Sequence, residues 1–278
     1  EEVNGISTIA GGDIVLRSQG NVTASEDMFT NVFDSEQGGN INITANNLFV
    51  TNGSQISAST FGNGDAGKVD IKVVDTVTFD GVSSDGFASG AISAVGEGAA
   101  GNARGVAITT GSLKVTNGAQ LSVITLGQGN VEAIDITANN VVFDGVSTNG
   151  FSGAFSIVGA RAEGKAGGVN ITSSSIEVIN GAQIYSNTQG QGTAGNISIK
   201  TESPLIISED SKISTFTESG IADRGNIIIT YSETIDIIGS GSGNQDNIET
   251  ATPPISSEQS PATPPISSEQ SPATPPIS

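Results

Sequence analysis

Two aspartates stand where carboxylate chemistry could be done. Asp70 and Asp135 occupy the centres of the triplets Val69-Asp70-Ile71 and Ile134-Asp135-Ile136. Glycoside hydrolysis uses a pair of carboxyl groups roughly 5–9.5 Å apart, one as acid and one as base or nucleophile. If the triplets are strands stacked two steps apart, the spacing is about 9–10 Å, near the inverting range. The triplet between them carries Ala107, and no aromatic sugar platform belongs to that face. The alternative is a pair of solvated surface acids.

A second candidate is the stretch Asp80-Gly81-Val82-Ser83-Ser84-Asp85-Gly86. Two carboxylates between glycine turns suit Ca²⁺, which takes hard oxygen ligands. The matching stretch carries Asp144 and Asn149, and neither has an Asp-x-Asp-x-Asp-Gly run or a following Glu. Asx turns explain the same residues without a metal. Ca²⁺ on Asp80 and Asp85 is the one cofactor reading; otherwise none is expected. Phe79, Phe87, Phe143, Phe151 and Phe155 flank these stretches. They read as loops packing on the body of the protein, with Phe87, Phe151 and Asp144 as the contact residues if the loops bind a ligand.

Composition removes other chemistries. With no His and no Cys, Ser-His-Asp and Cys-His nucleophiles, thiolate metal sites and disulfides are impossible. The glycine clusters lead into strands rather than helices, so no phosphate-binding loop is expected. Lys and Arg number 10 against 29 Asp and Glu, which disfavours nucleic acid because phosphate contacts need cations. There is no apolar run of the length a membrane helix requires, about 18 residues, and no transmembrane segment is expected. A threonine array for ice binding would need a Thr-x-Thr column that persists from repeat to repeat, and none is read. The chain opens on Glu1-Glu2 without a signal peptide and reads as a fragment or a mature form.

The elements that carry these residues come from a repeat. Aliphatic-x-aliphatic triplets recur at Ile41, Val69, Val106, Ile134, Val169, Ile197 and Ile227, 28 to 37 residues apart. Two side chains point in and one out, the period of a strand. Glycine turns such as Gly64-Asp65-Ala66-Gly67 and Gly192-Thr193-Ala194-Gly195 precede triplets. After each triplet come a second strand, a turn and a third strand, as in Val50-Thr51-Asn52-Gly53-Ser54-Gln55-Ile56. Asn-Gly between apolar residues ordinarily signals a hairpin. Here the same residue types return at the same phase of every unit, so the unit is one turn of a three-sided coil. The sequence predicts an all-β chain, a single right-handed parallel β-helix over 1–238, with a disordered Pro-rich C-terminal tail. Seven rungs span roughly 30–35 Å, and Ile14-Val15-Leu16 adds an eighth. Residues 79–92 and 143–157 lengthen alternate rungs and should protrude at one corner, with a short rung between. The Asn-rich turns suggest stacked side-chain ladders.

From Gly239 the composition shifts. The eleven-residue unit Ala251-Thr252-Pro253-Pro254-Ile255-Ser256-Ser257-Glu258-Gln259-Ser260-Pro261 repeats from Ala262 and again, in part, from Ala273. Such a segment buries too little apolar surface to offset its ordering entropy. Residues 239–278 read as a disordered linker or stalk.

The run Gly-x-Ala-Gly-x-Ile/Val-x-Ile, followed by Val-x-Asn-Gly-Ala/Ser-Gln-Ile/Leu-Ser, resembles filamentous haemagglutinin-type repeats over roughly residues 11–238. These belong to large exoproteins of the two-partner secretion pathway, notably in cyanobacteria. The resemblance implies export through an outer-membrane transporter partner and a secreted or cell-surface location. It also implies adhesion or aggregation, with a carbohydrate or cell-surface receptor as the possible target. The family's amino-terminal secretion motif is not visible, so the expected export rests on the repeats. The expectation is a structural and adhesive module that is not an enzyme. The alternative is a β-helix polysaccharide lyase or hydrolase, a chemistry this fold also hosts.

Overall fold

The computed structural model describes residues 5–148, 150–203, 205–208, 210–217, 224–231, 236–237 and 248–251. The Pro-rich repeats from 252 onward and Asn149 lie outside the described residues. All regular secondary structure among the described residues is β. The strands lie in an 8-stranded and a 12-stranded parallel sheet, with two small two-stranded sheets at the loops. Coils II to VI each give one long and one short strand, and in coils I and VII the long one is divided in two, so the chain winds a parallel β-helix of about 7 turns. Coils I to VII cover residues 14–32, 41–60, 69–95, 106–125, 134–158, 169–188 and 197–217. Ile227–Tyr231 extends the long-strand sheet, and Ile248–Ala251 pairs with it in parallel.

The triplets stack in register: Ile14, Ile41, Val69, Val106, Ile134 and Val169 form one column through six coils. Ile14–Arg17 pairs with Ile41–Thr44 and supplies the eighth triplet. In one respect the coil differs from the sequence reading. In coils II to VI the first and second strands of a unit are halves of one continuous strand, as in Ile41–Thr51 or Ile134–Asp144. The bend between the halves is a point where the register skips a residue, at Gly111 and Asn139. Buried hydroxyls hold it: Thr110, Ser173 and Thr201 donate to the bend carbonyls of Asp75, Asn139 and Ser174 in the coil before. Satisfied this way, the bend leaves none of those carbonyls unpaired and the strand continues through it.

The Asn-Gly pairs are corners. Asn52, Asn117 and Asn180 have φ near +60°, as do their glycines near +85°, and the corner closes with Ala119 N–H donating to Thr116 O at 3.1 Å. Positive φ at both central residues is the type I′ signature of hairpins. Here the flanking strands enter different sheets, so the same local turn serves a coil.

Core volume is balanced within each coil. Phe79 and Phe143 are fully buried in long coils III and V, and the same column holds Val50, Val115 and Val178 in the short coils. The first inward column of the short sheet runs the other way: Ile56, Ala91, Leu121, Ala154, Ile184. Phe is thus matched with Ala, and Val with Ile or Leu, in one core cluster. Phe79 and Phe143 therefore fill the coil itself rather than pinning loops to it. Close packing makes such a balance necessary, since interiors tolerate neither voids nor excess.

Candidate functional site

The two inserts leave the coil at the Asn-Gly corner. In coil III the chain departs at Asp80-Gly81 and returns at Ser89, whose N–H donates to Gly81 O at 2.9 Å. In coil V it departs at Asp144-Gly145 and returns at Ser152, whose N–H donates to Gly145 O at 3.0 Å. Each insert is a miniature antiparallel excursion, through the Val82–Ala88 bridge or the pairing of Val146-Ser147 with Gly150-Phe151. The returning serine locks the insert to two coils. Ser89 Oγ donates to Asp80 O and accepts from Gly53 N–H, and Ser152 Oγ does the same with Asp144 O and Gly118 N–H. The short corner of coil IV lies between the inserts. A Cβ at Gly118 would come within 2.4 Å of Ser147 Oγ and 3.1 Å of Val82 Cγ1, so glycine is required there by both space and φ. The inserts stack one above the other with a short rung between them.

The aspartates at the insert bases bond to the next coil. Asp80 Oδ1 accepts from Thr116 Oγ1 and from Asn117 Nδ2, the latter at 2.8 Å. Asp144 Oδ1 accepts from Asn180 Nδ2 at 2.6 Å. Both carboxylates hold an Asn in its left-handed corner conformation. Asp85 stands instead at the tip side of the first insert, on a groove of about 340 Å³. The groove's other acids are Glu26 and Asp27, from the first coil's turn, and Phe87 borders it. Among the described residues no three acidic side chains converge to hold a metal ion. Phe87 is 62% exposed and Phe151 44%. Phe155 is buried and stacks on Tyr185 with centroids 4.4 Å apart.

Asp70 and Asp135 occupy equivalent positions on either side of Ala107, as the spacing requires. Each has a partner: Asp70 pairs with Lys72, and Asp135 Oδ1 accepts from Asn170 Nδ2 at 2.9 Å. Next to Asp70 in the long-strand sheet, a column reads Thr44, Lys72, Thr109, Thr137, Thr172, Lys200, with threonine continuous over three coils.

Ladders run along the glycine returns. Asp65 Oδ1 accepts from Asn102 N–H at 2.8 Å, Asn102 Oδ1 from Asn130 N–H at 2.9 Å, and Asn130 Oδ1 from Lys165 N–H at 3.0 Å. Arg104 adds an ion pair to Asp65 at 2.8 Å. Burial raises the Asp65 pKa, but the Asn102 hydrogen bonds and the Arg104 guanidinium outweigh it and hold the carboxyl below its ordinary value. Sequence reading missed Glu26 and Asp27, because only the register of coil I against coils II and III brings them beside Asp85 and Phe87. It also missed the bonds from Asp80 to Asn117 and from Asp144 to Asn180. Their separations, close to one coil length, were the available signal.

No family model matches the chain, and neither the curated proteins nor the solved structures give a match.

Proposed function

We propose that the chain is a structural and adhesive rod of the filamentous haemagglutinin type. It would be exported through an outer-membrane partner and act outside the cell or at its surface. The observation that carries this reading is the pair of stacked inserts. They present the exposed rings of Phe87 and Phe151 at one corner of a rigid rod. Exposed aromatic residues on a fixed frame suit shallow contact with sugar rings or a surface receptor. Repetition along the rod adds weak contacts into useful avidity. The acids that suggested hydrolysis are engaged, Asp70 with Lys72 and Asp135 with Asn170, which supports binding without turnover.

A second reading has its own observation. The groove beside the first insert is lined by Glu26, Asp27, Asp85 and Phe87, and glycoside hydrolysis draws on a pair of acids that flank the scissile bond. One experiment separates the two. The purified chain is probed on a glycan array and an extracellular-matrix panel with and without Ca²⁺, and the same polysaccharides are assayed for cleavage. Adhesion predicts binding without cleavage, weakened about tenfold or more by Phe87→Ala with Phe151→Ala. Cleavage that disappears in Asp85→Asn or Glu26→Gln would establish the enzyme reading instead.

A further inference from the structure

The short-strand sheet has an outer face of unusual composition. Its outward positions from Phe29 to Asn187 carry no Asp, Glu, Lys or Arg, and Asp27 and Lys212 bound it at its two ends. The chain as a whole has 29 acids and a net charge of −19. The long-strand sheet shows the contrast, with Asp70, Lys72, Lys114, Asp135, Glu177 and Lys200 turned outward. The middle of the uncharged face is apolar: Ile92, Ala94, Ile124, Ile157 and Tyr185 are partly exposed on it, and Phe216 follows on the strand that carries Lys212. Phe155 is 3% exposed on this face yet belongs to neither core cluster, its ring covered by Tyr185.

We infer that this face is a self-association surface on which a second copy of the chain packs sheet to sheet. Charge points to a second copy. Two chains of net charge −19 repel wherever carboxylates oppose, and this face opposes none. A charged partner of either sign would find its complement on the long-strand side instead, where Asp70, Asp135 and Glu177 stand among Lys72, Lys114 and Lys200. Area agrees. Strands of 6 residues at about 3.3 Å, six of them at about 4.8 Å, make a face of roughly 550 Å². Two copies would bury about 1,100 Å², above the roughly 1,000 Å² that a specific interface must clear. Half-exposed aliphatic rows can interdigitate at the usual sheet separation of about 10 Å. A two-fold pairing uses the same patch on both copies and closes.

This inference does not rest on glycan binding, so a rod that binds no glycan would still pair. The test uses the full chain in sedimentation equilibrium and in disulfide trapping. Because the chain has no cysteine, Ser122→Cys places one thiol on the outer face, and Thr137→Cys places one on the long-strand sheet as a control. The expected result is a dimer with a dissociation constant on the order of micromolar or tighter. It should crosslink through position 122 and not through 137. Ile124→Glu and Ile157→Glu should each raise that constant at least tenfold with an unchanged circular dichroism spectrum. A monomer at every concentration overturns the inference. A freely reactive thiol at 122 would then mean an open face, and a protected one would mean that the chain's own C-terminal segment covers it. A dimer indifferent to both glutamate substitutions overturns it as well.

Discussion

Asp65 joins two coils through one carboxylate, accepting from the Asn102 backbone and side chain and pairing with Arg104. Its lowered pKa has a definite consequence for stability. A carboxyl whose folded pKa lies below the unfolded value, about 3.9, stabilises fully above that value. The contribution is lost as pH falls through the folded value. The melting temperature should therefore decline on acidification below about pH 4. Asp65→Asn should flatten that acid branch and cost about 0.5–1 kcal/mol at pH 7, the scale of a partly exposed ion pair. Melting curves from pH 2 to 7 check this, and parallel acid branches for the two proteins would contradict it. Asp80 and Asp144 teach a related lesson. Asp80 invited a metal reading with Asp85, and Asp144 a role in a contact loop; the structure turns both Asp80 and Asp144 toward the next coil's asparagine. Period two tells which side of a strand a residue takes, but not which neighbour its carboxylate will meet.

At the scale of the element, long and short coils are two solutions to one packing problem. Phe79 with Ala91 in coil III fills the space that Val115 with Leu121 fills in coil IV. Phe79→Val should cost about 2–4 kcal/mol through the cavity it opens, and Ala91→Ile alone should overpack. The double substitution should recover at least half of the loss. Urea unfolding of the three variants measures the coupling, and strictly additive losses would show that the two columns do not share volume. The triplets, the glycine returns and the Asn-Gly corners were all legible from spacing. The continuous long strand was not. Its bends carry turn-type residues, Asn46-Asn47, Thr110-Gly111-Ser112 and Asn139-Asn140, but hydroxyls of Thr110, Ser173 and Thr201 reach back one coil to satisfy bend carbonyls and the strand runs on through them.

The whole molecule is quasi-one-dimensional: among the described residues the strands of each coil pair only with those of the coils before and after it. Stability in such arrays is close to a sum of units and neighbour interfaces. Amide exchange should therefore be slowest in coils III to V, at Ile71, Ile108 and Ile136, and faster at Ile14 and Ile229. Hydrogen-exchange mass spectrometry reads this directly, and uniform protection along the rod would mean that it opens as one cooperative unit. By itself the sequence determined the parallel β-helix, the phase of its core and the corner from which the inserts leave. Those features follow from alternation and repeat length, which are properties of neighbours along the chain. The tertiary structure alone decided which acids meet at the groove, which serve as ladder rungs, and that one sheet face is left without charge. Those depend on residues a full coil or more apart, and their meeting is set by the stacking register and by insert lengths rather than by any local pattern.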